Sequence, residues 1–244
     1  MRRALVTGAG SGLTAGIAAA IAADGFERIA LTYRASDPSA TIAAIRLAGA
    51  SVSATHLDFD GETRAVAAAL GALVAGEGPF DTLIHGVGEL TVKRFVHLGP
   101  EDYDRAFDAN VRSAILTAGA VLPAMRAARF GRLVFLGGNG ASETRPFRGF
   151  TLHQAAKSAL TAFARSLAVE EAPFGVTVNV IEPGDIRDKT ADRAAARSLG
   201  KGSFEDVADV VRFLVAPERD FVTGAVIAVT GGLSEADGRN AGHS

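Results

Sequence analysis

Short runs of aliphatic and β-branched residues recur along the chain, at Arg3–Thr7, Arg28–Tyr33, Ser51–Thr55, Thr82–His85, Arg132–Leu136, Thr177–Ile181 and Ala225–Val229. Each is of strand length and too short for a helix, and several are apolar without interruption, as strands buried on both faces require. Alanine-rich or amphipathic stretches long enough to serve as crossover helices lie between them. Regular alternation of strand and helix predicts an α/β fold, with a doubly wound parallel sheet of about seven strands and helices on both faces. No composition shift marks an internal boundary, so residues 1–232 read as one domain. From Gly231 to Ser244 the chain turns to Gly, Asp, Asn and Ser, and residues 233–244 read as a frayed C-terminal tail.

The first strand runs directly into Thr7-Gly8-Ala9-Gly10-Ser11-Gly12-Leu13 and then into an alanine-rich helix through Ala23. In this strand–turn–helix setting, glycines let backbone N–H groups come close to a pyrophosphate at a helix N-terminus, where the unpaired donors and the dipole favour negative charge. A Rossmann-type dinucleotide site is expected there.

Composition narrows the alternatives. A chain of 244 residues with 48% hydrophobic content can bury one large core. The net charge is −2 and Lys and Arg are not clustered, so a nucleic-acid partner is not expected. No apolar run reaches membrane-spanning length, Met1-Arg2-Arg3 leads straight into a strand, and a cytoplasmic protein with no membrane partner is the default expectation. Zero cysteines exclude disulfides and thiolate chemistry, and the five histidines lack metal-ligand spacing, so no metal is expected.

Together these segments resemble the short-chain dehydrogenase/reductase family over nearly the whole chain. Its Thr-Gly-x-x-x-Gly-x-Gly turn aligns with Thr7 to Thr14, with Thr14 in place of the last glycine. His85-Gly86-Val87-Gly88 stands where Asn-Asn-Ala-Gly is usual, Asp102 to Val111 matches the helix carrying a relay asparagine, and Glu205 to Ala208 with Thr223-Gly224 through Gly232 match the last helix and strand. That C-terminal end is similar to the 3-oxoacyl-carrier-protein reductase branch. The resemblance implies a nicotinamide dinucleotide held by Thr7, Gly8, Gly10, Ser11, Gly12, Leu13, Arg34, Asp58, Gly86, Lys157, Pro183, Gly184 and Ile186, with Asp58 on the adenine. The second strand ends in Tyr33-Arg34 rather than a carboxylate. A guanidinium pairs with a 2′-phosphate whereas a carboxylate would repel it, so NADP(H) is expected over NAD(H).

The family's catalytic set is Asn, Ser, Tyr and Lys. Asn110 and Lys157 match; the tyrosine position is His153, and the expected Ser-Ser pair after the fifth strand reads Gly137-Gly138. The only tyrosines, Tyr33 and Tyr103, belong elsewhere in the alignment. Three readings follow. His153, four residues before Lys157 on the same helical face, replaces the phenol as acid or base, with Ser142 ranked before Thr144 or Asn139 as the missing donor; a nearby ammonium disfavours its protonation. Alternatively the fold binds NADP(H) without hydride transfer, as a sensor or partner subunit. Or it performs isomerisation, dehydration or cyclisation with His153 and His85.

The leading expectation is an oxidoreductase acting on a small carbonyl or alcohol. After Pro183-Gly184, the segment Asp185 to Ser203 reads as a short polar lid, in which Arg187, Lys189 and Arg193 suit an anionic substrate. The resemblance also implies a homodimer or homotetramer through the helices Glu101 to Arg126 and Phe150 to Ala172. Ala114, Ala118, Leu122, Ala159 and Leu167 are compatible with that interface or with core burial.

Overall fold

A computed structural model describes residues 2–187 and 202–232. The elements run β1 (Arg2–Thr7), α1 (Gly12–Ala22), β2 (Phe26–Tyr33), α2 (Ser39–Leu47), β3 (Ser51–His56), α3 (Thr63–Glu77), β4 (Thr82–His85), α4 (Pro100–Phe107), α5 (Ser113–Ala128), β5 (Gly131–Leu136), α6 (Thr151–Glu171), β6 (Val176–Pro183), β7 (Ile186–Arg187), β8 (Gly202–Ser203), α7 (Phe204–Val215) and β9 (Val226–Val229). Seven strands form one parallel sheet in the order β3-β2-β1-β4-β5-β6-β9. The chain winds outward from β1 to β3, then returns to place β4 on the other side of β1. That reversal opens a crevice at the C-terminal ends of β1 and β4, where Thr7 pairs with His85, and such a crevice is where ligands enter sheets of this kind.

The alternation of side chains along each strand divides the core in two. Ala4 and Val6 of β1 join Ile17, Ile21, Val211 and Leu214 on the α1–α7 face, while Leu5 joins Phe135, Ala118, Leu122 and Leu160 on the α5–α6 face. Ala114, Ala118 and Leu122 are therefore core residues, at 0%, 1% and 9% exposure; they do not form an interface surface. Leu167 packs partly against the same core and Ala159 is half-buried, whereas Ile115 and Val169 are exposed. No helix among the described residues is long and apolar enough to cross a membrane.

The expected strands are present within one or two residues. The single helix expected from Glu101 to Arg126 is instead two helices joined by a π-helical turn at Asp108–Arg112. The reason is local: Asn110 Nδ2 donates to the Ala106 carbonyl at 2.8 Å and Ser113 Oγ to the Ala109 carbonyl at 2.6 Å, so side chains compete for carbonyls that the helical ladder would use. Around the expected lid, Ile186 and Arg187 pair in parallel with Gly202 and Ser203. Lys189, Arg193 and the rest of residues 188–201 lie outside the described residues, as does the tail from 233.

Thr14 lies over the end of β4, and a Cβ placed on Gly86 would sit 2.2 Å from Thr14 Oγ1 and 2.7 Å from Thr14 Cγ2. Close passage here is between α1 and the β4 backbone, which answers what the threonine does in place of glycine. Gly86→Ala should destabilise the fold by about 1–3 kcal/mol through overpacking. In chemical denaturation, Gly86→Ala combined with Thr14→Ala should recover much of that loss, and strictly additive effects would contradict the contact.

Candidate active site

A groove of about 260 Å³ follows the sheet crevice, walled by Gly8, Gly10 and Ser11 of the first turn, by Tyr33 to Ser36 after β2, by Leu57, Phe59 and Asp60 after β3, and by Gly86 to Glu89 after β4. Its glycines have distinct duties. A Cβ on Gly10 would lie 2.9 Å from the Ser36 carbonyl oxygen, so the turn presses directly on the loop after β2. Gly12, at φ 71°, occupies the left-handed region with open space beside it. Ser11 makes no side-chain cap and the first turn of α1 carries no acid, so the helix N-terminus presents uncapped donors. This cradle fits a pyrophosphate.

The expected dinucleotide residues are not all groove walls. Gly8, Gly10, Ser11, Arg34 and Gly86 are; Thr7 is fully buried and Leu13 packs against the α1–α7 core. Asp58 is exposed, with Oδ1 3.9 Å from Arg34 Nη1. Pro183 and Gly184 close the end of β6, where a Cβ on Gly184 would meet Thr230 Cα at 2.8 Å, and Ile186 opens β7.

At the other end of the groove, the carbonyl oxygen of Glu89 gathers two side chains. It accepts from Asn110 Nδ2 at 3.1 Å and bonds His153 Nδ1 at 3.0 Å. A carbonyl can only accept, so the Nδ1 position bears the proton and the neutral imidazole keeps its lone pair on Nε2. Nε2 faces Gly138, 3.4 Å from where a Cβ would be. Phe150 packs edge-on to the same ring, with centroids 6.0 Å apart. Burial holds His153 below its ordinary pKa; the Glu89 bond opposes this and the Lys157 ammonium adds to the lowering.

Lys157, only 6% exposed, donates from Nζ to the Leu136 carbonyl at 2.8 Å, and burial brings its pKa down to about 8. Gly88 lies between it and Asn110: a Cβ there would be 3.1 Å from Lys157 Nζ and 2.6 Å from Asn110 Oδ1. That Asn110 oxygen is buried without a hydrogen-bond partner. Gly138 matters as well, because a Cβ on it would fall 2.9 Å from Lys157 Cγ. The lysine stem thus fills space that a serine at 138 would need.

Ser142 is placed differently from His153 and Lys157. Its backbone N–H donates to Glu182 Oε1 at 2.7 Å while Gly140 N–H donates to Oε2 at 3.1 Å, so a buried carboxylate pins this loop. No hydrogen bond joins Ser142 to His153 or Lys157 among the described residues. Asn139 offers its carbonyl to Gln154, and Thr144 is exposed at φ 52°. His85 is fully buried in a closed chain. Ser113 Oγ donates to Ala109 O, so it accepts from His85 Nε2 at 3.0 Å, and His85 Nδ1 accepts from Thr7 Oγ1 at 2.8 Å. Burial, then the Lys157 charge, lowers its pKa to about 3. Both ring nitrogens are committed, which removes His85 as an acid or base toward a ligand.

Sequence reasoning missed the Glu89 carbonyl, Asp60 and Glu182. Of these only Glu182 left a trace, as a lone charge inside an otherwise apolar strand ending.

The family model described as short chain dehydrogenase matches residues 2–198. The short-chain reductase protein NovJ of Streptomyces niveus is 32% identical over 246 residues, covering 94% of this chain and 92% of that one. The 3-oxoacyl-[acyl-carrier-protein] reductase MabA of Mycobacterium tuberculosis is 30% identical over 243 residues, covering 95% and 92%. The crystal structure of acetoin dehydrogenase from Enterobacter cloacae superposes with a TM-score of 0.83 at 25% identity, over 95% of this chain and 94% of the other. Fold, switch-point groove and these likenesses agree: the chain belongs to the short-chain dehydrogenase family of oxidoreductases, and within it resembles the 3-oxoacyl-carrier-protein reductases.

Proposed function

We propose that the protein is an NADP(H)-dependent oxidoreductase interconverting a small carbonyl and its alcohol, with His153 as the proton-transfer group in place of the family tyrosine. The observation that carries this reading is the meeting of His153 and Asn110 on one groove-wall carbonyl, with Lys157 beside them. Gly8, Gly10, Ser11 and the start of α1 would hold the pyrophosphate, Arg34 the 2′-phosphate, Asp58 the adenine end, and Lys157 the ribose hydroxyls of the nicotinamide half. The bound dinucleotide supplies or accepts the hydride.

The proton chemistry belongs to the chain. With Nδ1–H tied to Glu89, the imidazolium form gives its Nε2 proton to the developing alkoxide in reduction, and the neutral ring takes the alcohol proton at Nε2 in oxidation. The Lys157 ammonium favours the oxyanion and disfavours imidazolium, so the protonated ring is a strong acid for its type. Asn110 Oδ1 offers an acceptor for water near Lys157, and Ser142 would serve as a donor only after leaving its present position. Phe150 beside His153, with Leu90 and Val92 exposed nearby on the loop after β4, suits a substrate with an apolar body. The similar proteins, a short-chain reductase and an acetoin dehydrogenase, favour the same chemistry. Assembly into two or four copies would use exposed residues of α4 to α6 such as Tyr103, Ile115 and Val169.

A second reading, binding without turnover, draws on the missing hydroxyl at Gly138. Fluorescence titration with NADPH followed by absorbance assays on ketones and oxoacyl thioesters separates the two. Turnover that falls about 10²-fold or more in His153→Ala, with NADPH affinity held within about threefold, supports proton transfer by His153. Binding with no turnover on any substrate supports the second reading.

The pH dependence has a definite sign. Reduction needs protonated His153, so its kcat/KM should fall as pH rises through an inflection below the ordinary value of 6.5, and oxidation should rise through it. An inflection that survives His153→Ala belongs to another group.

Lys157 carries a stability consequence. Its folded pKa of about 8 lies below the ordinary 10.5, so below pH 8 the fold bears the whole cost of a buried ammonium, and stability recovers as pH climbs between the two values. At pH 7, Lys157→Met should abolish turnover while stabilising the protein by about 1–2 kcal/mol, net of the lost bond to Leu136. Thermal unfolding should show that gain shrinking above pH 8; a destabilised variant at pH 7 would refute it.

A further inference from the structure

Arg34 is the only cation among the described residues walling the groove, and it is already engaged. Its Nη1 lies 2.6 Å from Asp60 Oδ2 and 3.9 Å from Asp58 Oδ1. Asp60 N–H donates to Asp58 Oδ1 at 3.0 Å, so the two carboxylates are held as a unit against one guanidinium. Arg34, Asp60 and Ser36 share this end of the groove, and Ser11 Oγ donates to Ser36 Oγ at 2.9 Å, which ties it to the pyrophosphate turn.

The charges sum to one negative unit before any ligand arrives. A 2′-phosphate entering here must take Arg34 from Asp60 and then sit beside a carboxylate of like charge. Plain ribose hydroxyls meet no such opposition, because a carboxylate accepts from them, as one at the end of β2 does in an NAD site. Asp60 reaches the same place from the end of β3.

We infer that Asp60 is a cofactor-specificity residue: it competes with the 2′-phosphate for Arg34 and keeps the preference for NADP(H) over NAD(H) small. The inference rests on the dinucleotide reading of the groove. Its residue is on an exposed loop, so substitution should leave folding intact, which thermal unfolding of each variant verifies.

The test is the dissociation constant of NADPH and of NADH, read by intrinsic cofactor fluorescence without substrate, for wild type, Asp60→Asn, Asp60→Ala, Arg34→Leu and the Arg34→Leu/Asp60→Asn double variant. Asp60→Asn should tighten NADPH by about fivefold or more and leave NADH within about twofold, since an exposed pair and one like-charge contact are both removed. Glu170→Gln, an equal change in net charge on the exposed end of α6, should move neither ligand. The NADPH gain should shrink in the Arg34→Leu background to the part owed to direct repulsion between carboxylate and 2′-phosphate, the lost part being what the carboxylate does through the guanidinium. An unchanged or lowered NADPH preference in Asp60→Asn and Asp60→Ala overturns the inference while leaving cofactor binding intact, and so does an equal gain for both dinucleotides. If neither dinucleotide binds wild type or any variant, the reading of the groove fails and the inference falls with it.

Discussion

A charged amine buried at the C-terminal edge of the sheet is the constraint around which the site is organised. The Lys157 ammonium has one hydrogen-bond partner among the described residues, the Leu136 carbonyl, and no carboxylate of those residues pairs with it. An ammonium in that position is tolerable only if its surroundings are shaped to it. Gly88 and Gly138 have no side chains because the lysine's head and stem occupy the space a Cβ would claim. Its field reaches both nearby imidazoles, lowering His85 further than burial alone and pressing His153 toward neutrality. One buried charge therefore shapes glycine positions on two loops and adds to the burial that keeps two rings neutral.

An imidazole in the proton-transfer role proposed for His153 asks something different of the backbone than a phenol would. A phenol has one oxygen that both donates and accepts, whereas an imidazole has two nitrogens whose roles depend on the tautomer. The Glu89 carbonyl resolves this by accepting at Nδ1, leaving Nε2 as the nitrogen with a free lone pair toward Gly138. The same carbonyl accepts from Asn110, whose amide also bonds the Ala106 carbonyl within the π-helical turn. The unusual helix geometry and the unusual catalytic candidate thus meet on one oxygen atom.

Strand positions were legible in the sequence because continuous apolar runs of strand length, alternating with helices, admit few other arrangements. Their ends differed by a residue or two, since pairing in the sheet extends past the apolar run, as with Phe26 in β2 and Pro183 in β6. Other features depend on contacts between distant residues and left no local pattern. Arg34 meets Asp60 only because β2 and β3 end side by side, and no periodicity announces such a pair. The small residues of α5 had two readings, and burial under Phe135 and Leu160 decided for the core. The π-helical turn arises from side chains bonding carbonyls four residues back, which Asn, Ser and Thr do in many ordinary helices as well.

The two ends of the groove follow opposite electrostatic solutions. Around Arg34 the cation is exposed and over-neutralised, so exchange of partners there is cheap, which is the ground for the shallow selectivity we infer. Around Lys157 the cation is desolvated and under-neutralised, so any anionic oxygen that forms nearby gains strongly. A fold that had merely lost its catalytic tyrosine and serine would gain stability by also losing that ammonium, since an apolar side chain of similar length removes the burial cost. Its presence beside a tautomer-fixed imidazole and a shaped glycine pair is a cost that ribose hydroxyls would offset in part and a developing oxyanion would offset further, and it weighs for the proposed chemical role at the substrate end.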